Sequence, residues 1–251
     1  MIYTYDTKLA QLRDGFYRTG SGPTRVLILG SCRTMAFLNY LSRWNNMSDG
    51  AMTISYVNPF DWHWDSNDQL VESFEKAIDS LETDQRILSL LGSADIFIHE
   101  HFGNYGMFNT SREATKNIYQ FGMKAGVDIS IPNFHDHFIF YNDFATTGTV
   151  PDDWSERGLL AIEKFCSICK LSDFPDMAEY FKENWTKLKM CYTPNHTSKY
   201  FTLWLMKSMN EKFLRLPLTN KFWEAVSEED MFASPCTEIT DLDRQTYNLS
   251  Y

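Results

Sequence analysis

The chain has 251 residues, 43% of them hydrophobic and 22% charged, a length and balance that suit one globular domain with a sizeable core. Its net charge of −10 excludes a general binder of nucleic-acid backbones, which would carry a basic footprint, while leaving room for a local basic pocket around one phosphorylated ligand. No window approaches eighteen uninterrupted apolar residues, so no membrane span is expected.

Met1 to Arg18 includes Asp6 and Asp14 and lacks an apolar segment, so it does not read as a secretory signal. Five cysteines is an odd number. In a chain of this length they read as free thiols in a reducing, cytoplasmic setting. Residues 1–24 end in the turn cluster Gly20–Ser21–Gly22–Pro23 and are expected to form an extension packed on the domain edge. Arg25–Val26–Leu27–Ile28–Leu29 then stops at Gly30. A short apolar run closed by a turn residue suits a strand buried on both faces. Met35, Ala36, Phe37, Leu38, Tyr40 and Leu41 follow at helical spacing up to Trp44. The stretch therefore reads as strand, tight turn, helix.

Met52 to Val57 alternates and is β-branched, which predicts the second strand. It runs into the aromatic, acidic loop that holds Phe60, Trp62 and Trp64, rings that suit either stacking on a sugar or adenine or packing in the core. Residues 68–92 are predicted to be mostly helical. Asp95–Ile98 is the third strand, Ile118–Met123 a short helix, and Val127–Ile131 the fourth strand. Strands alternating with helices imply a parallel sheet covered on both faces. The expected fold is therefore α/β, a doubly wound, mostly parallel sheet with a helical C-terminal part. It divides into a sheet core over 24–133, a helical part over 134–215 and a C-terminal wrap over 216–251, all within one domain over 1–251. In the helical part, interruptions are expected near Pro175 and Pro194.

Open α/β sheets bind ligands at the carboxyl ends of their strands, so the turn after Gly30 is the first candidate site. Cys32 there lies beside a helix N-terminus, which lowers a thiol pKa and favours an anion. It reads either as a nucleophile or as a small buried apolar residue. Ser31 is a second nucleophile or an N-cap. Arg33 is a bidentate anion holder or a solvated charge. His99–Glu100–His101 ends the third strand, and alternation puts both histidines on one side and Glu100 on the other. With His135, Asp136 and His137 this set suggests a metal. No recognised ligand spacing supports that idea, and no metal is expected. Cys166–Ser167–Ile168–Cys169 falls inside an apolar helix and reads as core packing rather than a redox pair.

Gly30–Ser31–Cys32–Arg33 resembles the Gly-Asn-Cys-Gln turn of the WcbI-type polysaccharide biosynthesis proteins. These are acetyltransferases with an SGNH-hydrolase-like fold that bind coenzyme A. Ala94–Glu100, Ile131–Phe134 and Thr193–Pro194–Asn195–His196 resemble later segments of that family in the same order. Ser31, Arg33 and Thr197 stand where the family has Asn, Gln and Pro. The resemblance implies acyl transfer from acetyl-CoA to a sugar hydroxyl. Cys32 and Ser31 would be catalytic, with His196 as general base and Asn104, in Gly103–Asn104, donating to an oxyanion. Gly30, Arg33, His99 and Asn195 would line the coenzyme A site. His196 is expected in the first turn of the helix over Lys199–Met209, with Asn195 as its cap, meeting Cys32 in the cleft. The partners implied are a small acyl donor and a sugar acceptor. An SGNH-like esterase or deacetylase and a non-catalytic binding protein are the alternatives. Thr193 stands where hydrolases of that fold carry Asp, which weighs against hydrolysis.

Overall fold

A computed structural model describes residues 16–30, 34–57, 85–101, 127–132, 152–193, 196–228 and 239–251. The chain groups into two compact units. One takes in residues 2–131 and 217–222, the other 132–216 and 223–251. Among the described residues no helix is long and apolar enough to cross a membrane.

The first unit is built on a five-stranded sheet of β1 (Phe16–Thr19), β2 (Thr24–Leu29), β3 (Met52–Val57), β4 (Ile96–His101) and β5 (Val127–Pro132), in the order β1-β3-β2-β4-β5. β2 lies parallel to both β3 and β4, with Leu29 opposite Val57 on one side and His99 on the other. The Val127 N–H donates to the Asp95 carbonyl at 2.8 Å, which brings the start of β5 beside the start of β4. Val26 to Leu29 and all six residues of β3 are buried, as expected for strands with neighbours on both sides.

β1 corrects the expected architecture. Residues 16–19 do lie at the edge, but as a strand of the sheet itself, antiparallel to β3, with Phe16 opposite Val57 and Thr19 opposite Ile54. The sheet is therefore mixed, and parallel pairing is established for β2 with β3 and β4. The glycine cluster after β1 explains how this is reached. The chain must pass over the start of β3 to reach the far side and begin β2. It does so in contact, with the Gly22 N–H donating to Met52 O at 3.1 Å and the Thr53 hydroxyl donating to Gly22 O at 2.7 Å. A Cβ on Gly22 would run into the backbone of Gly50, Ala51 and Met52, so only glycine allows the crossing.

α1 (Met35–Met47) buries Ala36, Phe37, Leu38, Tyr40, Leu41, Trp44 and Asn45, the apolar stripe its spacing predicts. α2 (Gln85–Ser93) leads into β4.

The second unit is helical. α3 (Trp154–Leu171), α4 (Met177–Asn184) and α5 (Lys199–Met209) each contribute one phenyl ring to a buried trio. Phe165 lies 4.8 Å from Phe181 and 5.6 Å from Phe201, and Phe181 lies 6.5 Å from Phe201. These edge-on and tilted contacts are the favoured aromatic geometry. A small hairpin of β6 (Cys191–Thr193) and β7 (His196–Thr197) precedes α5. One wider helical turn, Asn210–Leu214, extends α5, with the Arg215 N–H donating to Asn210 O. Residues 216–251 hold two further helices, α6 (Asn220–Ser227) and α7 (Asp241–Tyr247). The Tyr247 ring fills the space beside Gly158, where a Cβ would collide with it.

Candidate functional site

The strand order positions the site. β2, the first strand of the parallel set, lies between β3 and β4. The chain therefore travels to one side of β2, then crosses back to the other. Such reversals leave a crevice at the carboxyl ends of the two strands that part there. Here those ends are Gly30, after β2, and His99–Glu100–His101, at the end of β4.

Gly30 is held from both sides. Its N–H donates to Val57 O at 3.1 Å, and the Tyr56 hydroxyl donates to its carbonyl at 3.3 Å. A Cβ on Gly30 would lie 2.5 Å from Thr34 Cγ2, 2.8 Å from Thr34 Oγ1 and 3.1 Å from Glu100 Cβ. The glycine is thus required by close approach: the chain leaving β2 is pressed between Thr34 and Glu100. Thr34 is fully buried and Glu100 is 1% exposed. Thr34 precedes α1 in helical geometry and makes no capping bond with its side chain. The positive end of this thirteen-residue helix begins where the turn ends.

His99 is buried on β4. Its ring stacks on Phe97 with centroids 5.0 Å apart and planes 25° from parallel. Its Nε2 lies 3.1 Å from Asp128 Oδ1, whose side chain is 43% exposed. The imidazole is thereby fixed in orientation against β5. Asp128 was not singled out in the sequence. Its signal was the polar–apolar alternation of Asp128–Ile129–Ser130–Ile131, but only the pairing of β5 with β4 tells which histidine it meets.

Ser31, Cys32, Arg33, Asn104 and Asn195 lie outside the described residues, as do Phe60, Trp62, Trp64, His135, Asp136 and His137. For His196 and His101 the strand backbone alone is described. The expected meeting of Cys32 and His196 therefore also lies outside the described residues. The local setting of His196 differs from expectation. It belongs to β7, opposite Thr193, and not to the first turn of α5. The cap of that helix is Ser198, with the extended backbone (φ −79°, ψ 169°) of an N-cap. The hairpin pairing of Cys191 with Thr197 holds the chain extended for two residues longer than a cap at Asn195 allows.

The Cys166–Cys169 pair is core. Both thiols are buried in α3, and burial pushes the pKa of each upward. Cys191 on β6 is raised by burial in the same way. Thiols held protonated by an apolar setting are poor nucleophiles, so these three are packing residues. Among the described residues no group of three His, Cys, Asp or Glu side chains is arranged to hold a metal ion. No family model matches the chain, and no curated protein matches it closely enough to count as a relative.

Proposed function

We propose that this protein is an acyltransferase that moves an acetyl group from coenzyme A to a sugar hydroxyl, on a doubly wound sheet related to the WcbI-type fold. The observation that carries the reading is the strand order, in which the turn after β2 and the end of β4 adjoin at a point of reversal. That is where nucleotide-type ligands bind in sheets of this kind. The N-terminus of α1 adds a positive end suited to an anionic group or a developing oxyanion. Acyl transfer needs a thiol or hydroxyl at that turn, a base for the acceptor hydroxyl and donors for the oxyanion.

In this reading Cys32 sits at the active edge, with Ser31 beside it. His196 takes the proton of the acceptor hydroxyl as its oxygen attacks the acyl carbon, and the sulfur of coenzyme A departs. Asn104 and backbone N–H groups receive the negative charge on the carbonyl oxygen. Arg33, Asn195, Gly30 and His99 hold the donor.

Isothermal titration and thermal melts with acetyl-CoA test the reading. A saturable heat and a rise in melting temperature are expected. A ligand at a hundredfold excess over its Kd stabilises by about 2.7 kcal/mol. No heat and no shift at millimolar acetyl-CoA would overturn it.

A further inference from the structure

α3 carries a second apolar feature, on the side away from its own core. Its inward face, from Ala161 and Ile162 to Ile168 and Cys169, is buried, whereas Leu160 is 60% exposed and Leu171 is 52% exposed. Exposed leucines standing singly carry no message. These two are placed by the period of the helix. They lie three turns apart and within about 20° of each other around the axis. Between them on the same line stand Lys164 and Ser167, both exposed. Leu160, Lys164, Ser167 and Leu171 thus follow one another at intervals of four, three and four, the spacing of a seam between two paired helices. Glu163 and Lys170, also exposed, border this seam on one flank. Among the described residues, neither they nor Lys164 forms an ion pair.

We propose that this face of α3 docks on the same face of a second copy of the chain, with the two helices antiparallel. The charge pattern selects both that occupant and that orientation. In antiparallel order Leu160 meets Leu171 of the second copy, and Lys164 meets Ser167 of the second copy, each contact occurring twice about a two-fold axis. The Ser167 hydroxyl donates to Glu163 O at 2.9 Å and keeps acceptor capacity for the incoming ammonium group. Glu163 and the second copy's Lys170 then share a flank, at heights about 3 Å apart along the helices, within reach of an ion pair. In parallel order Lys164 would stack on its own copy, and Glu163 would face Ile168 with no opposite charge. Leucines alone would suit any apolar partner. A seam whose acid and base are matched by its own reverse suits another copy of this chain. One helix face is at the small end of specific interfaces, so the dimer belongs to high concentration.

The proposal is independent of acyl transfer, and its test uses no ligand. Analytical ultracentrifugation of the full-length protein from about 1 μM to about 1 mM should show a monomer passing to a dimer and to nothing larger, because a two-fold contact closes on itself. Leu160→Ser should abolish the dimer. Leu159→Ser removes a leucine that is 53% exposed but off the seam, and it should leave the dimer unchanged. Glu163→Lys and Lys170→Glu should each weaken dimerisation about tenfold by setting like charges opposite each other. Combined in one chain they should restore it, since the swap returns an opposite pair to the same place. All of these positions are exposed, so the monomer fold is expected to survive each change, and circular dichroism checks that it does. A protein still monomeric at about 1 mM overturns the proposal. So does a dimer lost equally in Leu159→Ser, which would report unspecific apolar contact. A dimer indifferent to either charge reversal, or not restored by the double reversal, overturns it as well.

Discussion

Gly30 shows how much a single residue can carry. Its backbone bonds to β3 on one side, and its missing side chain leaves the space that Thr34 and Glu100 occupy on the other. Gly30→Ala should therefore destabilise by about 1–3 kcal/mol through overpacking, read as a lower urea midpoint. Thr34 supplies the two closest contacts, so Thr34→Ala should recover part of that loss. A double-mutant cycle with purely additive losses would show that the clash is not with Thr34. The glycine was legible in the sequence as the end of an apolar run. The neighbour that makes it obligatory was not, because Glu100 comes from a strand 70 residues later in the chain, and only the pairing of β2 with β4 brings it there. Asp128 was hidden for the same reason.

At the level of elements, local signals were sufficient wherever the element answers to its own pattern. β2, β3 and α5 lie where apolar runs, alternation and helical spacing put them, and α5 spans Lys199–Met209 as expected. The elements that departed are those set by a distant partner. β1 has only four residues and pairs with a strand more than thirty positions later. β7 has two residues and exists because Cys191–Thr193 lies alongside it. Ser198 carried a capping signal of its own, and the turn signal of Pro194–Asn195 masked it. Asn45 shows how a helix and a strand are tied. Its side chain donates to Met52 O at 3.0 Å and accepts from Met52 N at 2.7 Å, acting as a strand partner for the first residue of β3. Its own carbonyl accepts from Ser48 and Gly50 in the intervening turn. Asn45→Ala should cost about 1–3 kcal/mol by leaving the buried Met52 N–H without that acceptor. Chemical denaturation would check this, and a loss under 0.5 kcal/mol, on the order of a neutral surface change, would show that the tie is unimportant.

For the whole molecule, strand order decides where a site can be, and strand order was the least legible property. Periodicity marks which residues form strands, while the neighbour each strand chooses depends on how the helices cover the sheet. The helical unit should respond to base. Cys166, Cys169, Cys191, Tyr180 and Tyr247 all have pKa values raised chiefly by burial, and all belong to the helical unit. The folded state keeps protons that the unfolded chain releases. The contribution of the thiols is therefore complete below their ordinary value of 9.0, that of the two tyrosines below 10.0, and each is lost as pH rises beyond that value. Cys169 and Cys191 should each remove about 1.4 kcal/mol per pH unit above the thiol value. Urea midpoints measured from pH 8 to 11 should fall steadily, and a flat profile would contradict the burial of these thiols. The same unit closes upon itself through its last residues. Ser250 donates twice to Thr186 O, and the Tyr251 hydroxyl donates to Trp185 O, across 64 and 66 positions of chain. Helices form from neighbours in sequence and form fast, whereas bringing such remote residues together spends chain entropy before any contact rewards it. These contacts give a unit otherwise built from local helical pairings a set of long-range ones, which raises the chain entropy that its folding must spend.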